Sequence, residues 1–302
     1  MTKQTRIRIG LLGTGPWARR TQAPALAAHH GIEFSGVWGR RPEAAAELAA
    51  VHGVTAYEDV DALIDASDAV AIALPPDVQA PLAARAAAAG RHVLLDKPVA
   101  TTVEAARDVV SAAERTGVAS IVFCTLRFAE GTAPWIAEQA AAGDWFMARA
   151  DWLGSLFAPG PSGPGSVSPY AASPWRREKG GLWDVGPHVL SVLLPVLGEV
   201  TELTALRGRA DTVHLALRHT SGASSTATVG LSAPPEASAV GLELFGERGR
   251  AALPAWGDAV GSFRAAVDAL LESARTGEAH ACDVRFGLRI TELLAEAQGR
   301  LS

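Results

Sequence analysis

The chain has 302 residues, of which 48% are hydrophobic and 20% charged, and its net charge is −5. That apolar content supports two domains with cores of their own and excludes an intrinsically disordered chain. A net negative balance argues against nucleic acid and anionic membrane surfaces as partners and leaves small molecules.

Two cysteines, Cys124 and Cys282, are too few for a disulfide framework and lack metal-ligand spacing, so both read as buried thiols with no metal site. No signal-type segment precedes the first strand, and no segment reaches the ~20 continuous apolar residues of a membrane span, so the expectation is a cytoplasmic protein.

The first strand, Ile7 to Leu12, runs through two glycines into an alanine-rich helical stretch at about 16–30. The pattern is G-x-G-x-x-A. Gly13 makes the turn, Gly15 admits a pyrophosphate to the backbone, and Ala18 is the small residue where helix meets strand. Thr14, Pro16 and Trp17 complete a helix N-terminus whose free N–H groups suit an anion. A tight strand-to-helix turn without a ligand is the alternative reading.

Next come a strand at 32–38 ending in Gly39-Arg40-Arg41-Pro42, a helix at 43–52, a β segment at 54–57 and a helix at 58–66. The apolar run from Ala69 to Leu74 is closed by Pro75-Pro76, as in a parallel strand buried on both faces. A helix at 77–89, a strand at 92–96 before Lys97-Pro98, a helix at 103–116 and a strand at 118–123 continue the alternation. Such alternation predicts an α/β domain with a doubly wound parallel sheet over residues 1–122.

Beyond residue 122 the rhythm changes. A helical stretch at 130–142 and a strand at 145–154 precede a segment, 158–174, in which 12 of 17 residues are Pro, Gly or Ser, a loop or lid. Gly180 to His188 leads into a leucine-rich helix ending at 197. Strands follow at 200–207, 212–219, 223–231 and 239–245, with closing helices at 259–274 and 284–298. Four strands with little helix between them predict a largely antiparallel open sheet, hence an α+β domain over 123–302.

Several residues carry chemistry. Dinucleotide sites selective for NAD place an acidic residue about 20 positions past the fingerprint. Arg40 and Arg41 stand there instead and suit a 2′-phosphate, so NADP(H) is preferred over NAD(H), with solvated loop charges as the alternative. His188 carries an imidazole that titrates near pH ~6.5 and fits a general acid/base, or else a capping or core histidine. Asp184 shares a helix face with His188 if the helix has begun by then, and is otherwise an N-cap. Lys97 follows the carboxyl end of a parallel strand, where its ammonium could polarise an oxygen or remain solvated. Trp152, Trp175 and Trp183 are either ring-stacking surfaces or core, and Arg176-Arg177 either bind an anion or are exposed charge.

The fingerprint Gly13 to Ala18, the turn Asp96-Lys97-Pro98, the pair Arg127-Phe128 and the segment Gly180 to His188 together resemble the Gfo/Idh/MocA family, and the similarity spans essentially the whole chain. The resemblance implies a Rossmann domain followed by a domain for substrate binding and oligomerisation. It implies an NAD(P)-dependent oxidoreductase acting on a secondary alcohol or ketone of a sugar, cyclitol or related compound, as a homodimer or homotetramer. By the same resemblance His188 is the general acid/base, Lys97 the polarising and proton-relay group and Asp184 the substrate orienter. Leu74, Pro75, Asp96, Lys97, Pro98 and Arg127 join the cofactor pocket, and the Lys97–Pro98 bond is expected to be cis. Three positions depart from the family pattern: Asp96 replaces Glu, Gln79 stands in place of a His, and Ser191 in place of an Asp. These changes are expected to alter the pocket lining. A non-catalytic NADP(H) sensor, or a reductase of an imine or alkene, would use the same fold.

Overall fold

The computed structural model describes residues 6–158 and 168–301, so most of the expected loop at 158–174 lies outside the described residues. The first elements are β1 (Ile7–Leu12), a π-helical turn (Ala18–Gln22), α1 (Ala23–Ala27), β2 (Ile32–Trp38), α2 (Pro42–His52), β3 (Thr55–Tyr57), α3 (Val60–Ala66) and β4 (Ala69–Ile72). Then come α4 (Pro76–Ala88), β5 (His92–Asp96), α5 (Val103–Thr116), β6 (Ser120–Phe123), α6 (Ala133–Ala142), β7 (Trp145–Leu153), α7 (Pro174–Asp184) and α8 (Gly186–Leu197). The chain finishes with β8 (Val200–Arg207), β9 (Val213–His219), β10 (Ser224–Gly230), β11 (Ala239–Gly246), β12 (Gly249–Ala252), α9 (Ala259–Thr276) and α10 (Val284–Arg300).

Two compact units divide the chain: residues up to Ala129 with Gly257–Thr291, and Glu130–Trp256 with the residues from Glu292 onward. The first holds a six-stranded sheet in the order β3-β2-β1-β4-β5-β6, parallel throughout. Its central strands are apolar on both faces, and every residue of β4 and β6 is buried. Ile9 and Leu11 pack with Leu26, Leu48, Phe263, Val267 and Leu270 in one cluster. At β5 and β6 the helix that joins this cluster is α9, with Phe123 edge-on to Phe263 at 5.0 Å. The division expected at residue 122 places α9 with the second half of the sequence; by its packing it belongs to the first unit.

The helix expected at 16–30 opens with the π turn, where the Ala23 N–H reaches back to Ala18 O. Pro24 lacks the N–H that would close a regular turn, and its ring crowds the carbonyl one turn back, so a wider turn accommodates it.

The second unit holds a six-stranded sheet in the order β12-β11-β7-β10-β9-β8, parallel at β7–β10 and antiparallel at the other pairs. Along β9, Val213, Leu215, Leu217 and His219 are buried while His214, Ala216 and Arg218 are exposed. Apolar α8 packs against β7, β10 and α6. The stretch Pro174–Leu197, 24 residues, contains an 18-residue window of mean hydropathy 1.3, long and apolar enough by length and composition alone to cross a bilayer. Here 83% of that window is buried within the protein, and Gly180 interrupts it with non-helical backbone.

Candidate active site

In the first unit the candidate residues gather at the carboxyl ends of the parallel strands. Gly13 adopts φ 133, and a Cβ there would lie 2.4 Å from Ala73 O, so only glycine fits. Its N–H donates to Trp38 O at 2.8 Å, which ties the turn to the end of β2. A Cβ on Gly15 would meet nothing within 4 Å, so open space lies before this helix start, as a bulky pyrophosphate requires. Ala18 is fully buried beneath it, and Trp17 packs 6.4 Å from Phe123. Arg19 braces the loop by donating to Thr14 O at 3.1 Å and to Ala44 O at 3.2 Å, a clamp without a motif to announce it.

Arg40 and Arg41 are exposed immediately after β2, and among the described residues neither forms an ion pair. Leu74 and Pro75 are half-buried past the end of β4. At the end of β5, Asp96 and Lys97 are half-buried, Pro98 is buried, and the Lys97–Pro98 bond is cis. The Lys97 N–H donates to Asp96 Oδ1 at 2.9 Å. Arg127 ends the short turn Thr125–Arg127, its guanidinium 5.5 Å above the Phe286 ring. The buried Cys124 thiol senses Arg127, Lys97 and Asp96 together, and burial pushes its pKa up, so it stays protonated. Gln79 corrects an expectation. It is fully buried and bonded to the backbone of residues 96–99, so it does not line the pocket.

In the second unit the segment 180–188 is bent before it is helical. Gly180 adopts φ 64, and a Cβ on Gly181 would fall 2.4 Å from Gly230 Cα. The N–H groups of Gly181 and Leu231 both donate to Asp211 Oδ2 at 2.9 Å, so one carboxylate pins the bend to the end of β10. Asp211 belongs to no motif, and only its acidic character in the turn before β9 hints at a task. Asp184 closes α7 and His188 lies in the first turn of α8. The N-cap of α8 is Val185, so Asp184 is not the cap.

Asp184 is 8% exposed and pairs with Arg176 at 3.1 Å. The Arg176 guanidinium in turn lies 4.6 Å over the Trp175 ring and 5.3 Å over Tyr170. Arg177 donates to Ala171 O at 2.8 Å and lies 5.7 Å over Phe157. Both arginines therefore engage their own chain. The His188 ring stacks on Trp152 at 4.6 Å with planes 13° apart, and Trp152 stacks with Trp256 at 5.8 Å. Trp152 shares strand parity with buried Ala148 and Ala150, which puts it on the covered face of β7. Trp175 and Trp183 are core residues, the latter donating to Gln298 Oε1. Ser191 donates to His188 O at 2.7 Å. This arrangement offers a proton-exchanging imidazole of fixed plane and a carboxylate held by a guanidinium. Among the described residues no group of three or more His, Cys, Asp or Glu could hold a metal ion.

Residues 7–123 match the oxidoreductase family described by its NAD-binding Rossmann fold, and residues 136–252 match the Gfo/Idh/MocA C-terminal domain. The chain is 31% identical over 199 residues to the dTDP-3,4-didehydro-2,6-dideoxy-alpha-D-glucose 3-reductase of Streptomyces antibioticus, covering 64% of this chain and 57% of that protein. It is 34% identical over 111 residues to the glucose-6-phosphate 3-dehydrogenase of Bacillus subtilis, covering 37% of this chain and 31% of that one. The matches thus span about half or less of these relatives. Among solved structures, UDP-N-acetylglucosamine 3-dehydrogenase GnnA from Acidithiobacillus ferrooxidans shares the fold at a TM-score of 0.81, with 20% identity and 98% of each chain covered. With one family's models matching both halves, the chain belongs to the Gfo/Idh/MocA oxidoreductases and carries their NAD-binding Rossmann fold.

Proposed function

We propose that this protein is an NADP(H)-dependent oxidoreductase that moves a hydride between the nicotinamide and a secondary alcohol or ketone of a sugar, at carbon 3 of a hexose. The position is suggested by the relatives' names, which include 3-reductases, 3-dehydrogenases and a 3-ketoreductase from Actinomadura kijaniata. The observation that carries the reading is His188, its imidazole held face to face with Trp152 just beyond the ion-paired Asp184.

A bound nicotinamide would supply or accept the hydride. Gly13 and Gly15 would let the pyrophosphate approach the helix start, where the backbone N–H groups of Thr14, Gly15, Trp17 and Ala18 could face it beside Pro16; Arg40 and Arg41 would hold the 2′-phosphate, and Leu74, Pro75, Asp96, Pro98 and Arg127 would line the rest of the cofactor pocket. His188 gives or takes the hydroxyl proton. Lys97 places its ammonium charge against the oxygen on which negative charge develops. Asp184 accepts hydrogen bonds from sugar hydroxyls, its geometry set by Arg176.

The test follows nicotinamide absorbance with NADPH and NADP⁺ against hexoses, 3-ketohexoses, hexose phosphates, nucleotide-linked hexoses and inositols, with Lys97→Ala beside the wild type. Turnover of a hexose, reduced roughly 100-fold by the substitution, is expected. Binding of NADPH without turnover of any panel member would replace this reading with a nucleotide sensor.

A further inference from the structure

Gln79 sits in the first turn of α4, its own N–H donating to Pro75 O at 2.8 Å, and its side chain is fully buried. Its amide is devoted to one stretch of backbone. Oε1 accepts from Asp96 N at 2.9 Å, while Nε2 donates toward Asp96 O at 2.8 Å, Pro98 O at 3.1 Å and Val99 O at 3.2 Å. The bonds fall on both sides of Lys97, whose N–H is taken by Asp96 Oδ1.

The chemistry of this socket is specific. Three carbonyl oxygens converge on one point and repel one another unless a donor sits between them, and the neighbouring Asp96 N–H requires an acceptor. A primary amide supplies two donor hydrogens and an acceptor oxygen at one reach; a carboxylate would add charge against three carbonyls, and an alkyl group would supply none of these bonds. The first turn of α4 and the stretch 96–99 at the end of β5 are thereby joined by one side chain.

We propose that Gln79 is the positioning residue for Lys97: it fixes the backbone on either side of the lysine and so the point from which the ammonium reaches the reacting oxygen. This rests on the reading of Lys97 given above. It predicts that removing the amide acts through Lys97 and not through general loss of structure.

The sequence makes a direct readout possible, because Lys3, Lys97 and Lys179 are its only lysines. Reductive ¹³C-methylation of the full-length protein gives a resolvable set of dimethyl-lysine NMR signals, and loss of one in Lys97→Arg assigns Lys97. In Gln79→Met the Lys97 signal is expected to move toward the position of a solvated lysine while that of Lys179 stays in place. Gln79→His, which keeps one donor and one acceptor, is expected to restore most of the shift. With the sugar identified by the panel, Gln79→Met is expected to lower kcat about 10-fold or more, leave the KM for NADPH within about twofold, and cost less than about twofold when added to Lys97→Ala.

An unmoved Lys97 signal in Gln79→Met, or the full loss of kcat persisting in the Lys97→Ala background, would overturn the proposal. If Gln79→Met does not fold, Gln79→Glu carries the same measurements. A Lys97→Ala protein with undiminished turnover would instead sink the role given to Lys97, while the NMR comparison would still decide what Gln79 does.

Discussion

Arg40 is where one side chain would decide between two cofactors that differ by a phosphate. A charge-assisted guanidinium–phosphate pair contributes about 1.5–3 kcal/mol, so Arg40→Asp should weaken NADPH binding roughly 10- to 100-fold. NADH binding should stay unchanged or improve, because a carboxylate can accept from a ribose hydroxyl. Fluorescence titration with both nucleotides checks this, and equal losses would return Arg40 to the status of a solvated loop charge. The residues whose setting was legible in the sequence are those in short local motifs. Gly13 and Gly15 announce a turn by spacing alone, and Gly180-Gly181 stands where the chain bends before α8. Gln79, Asp211 and Trp152 were not legible in this way. Each acts through groups distant in sequence, Gln79 on backbone 17 to 20 residues away and Asp211 on Gly181 at a separation of 30. Reading Gln79 as pocket lining failed because a polar residue after a strand gives no local sign of which way its amide is satisfied.

Among the elements, β9 holds a buried histidine that ties parts of the second sheet together. His219 is 2% exposed, with Nδ1 2.9 Å from Gly198 O and Nε2 2.8 Å from Ser225 Oγ. A carbonyl can only accept, so Nδ1 carries a proton, and in the neutral ring Nε2 accepts from the serine hydroxyl. Burial holds its pKa below the ordinary histidine value, opposed by the hydrogen bond to Gly198 and the charge of Glu199. The unfolded chain therefore binds a proton that the folded chain refuses. Stability from this residue is present above about pH 6.5 and is lost as the pH falls toward the lower folded value, by at most about 1.4 kcal/mol per pH unit. Thermal melts between pH 7 and 5 should show the melting temperature falling. His219→Gln should flatten that slope in part, since burial also lowers His52, His92 and His280. A variant with an unchanged slope would remove His219 from the account. Most elements were legible because their periods are distinct: continuous apolar runs for β4 and β5, strict alternation for β9. The four-residue β12 is too short to show a period, and the π turn depends on the single Pro24. The parallel pairing of β7 with β10 joins strands far apart in sequence, which periodicity cannot report.

For the molecule as a whole, the alternation of strands and helices marked the Rossmann half, but composition held no sign that α9 completes its core. Phe263, Ala266, Val267 and Leu270 look like any amphipathic helix face until the sheet they cover is known. A fragment of residues 1–129 should accordingly leave Phe123 and its neighbours bare. It is expected to bind a hydrophobic dye and aggregate, whereas the same fragment joined by a flexible linker to residues 257–291 should stay soluble and bind NADPH. A fragment 1–129 that is monomeric and melts cooperatively would contradict this. The return of α9 also sets an order of events on the ribosome. The dinucleotide-binding half is synthesised first, yet about 130 further residues must emerge before α9 does. During that interval the nascent chain displays an apolar sheet face for which a chaperone is the natural temporary cover, and the second unit, begun in between, is completed last of all by its residues from Glu292 onward.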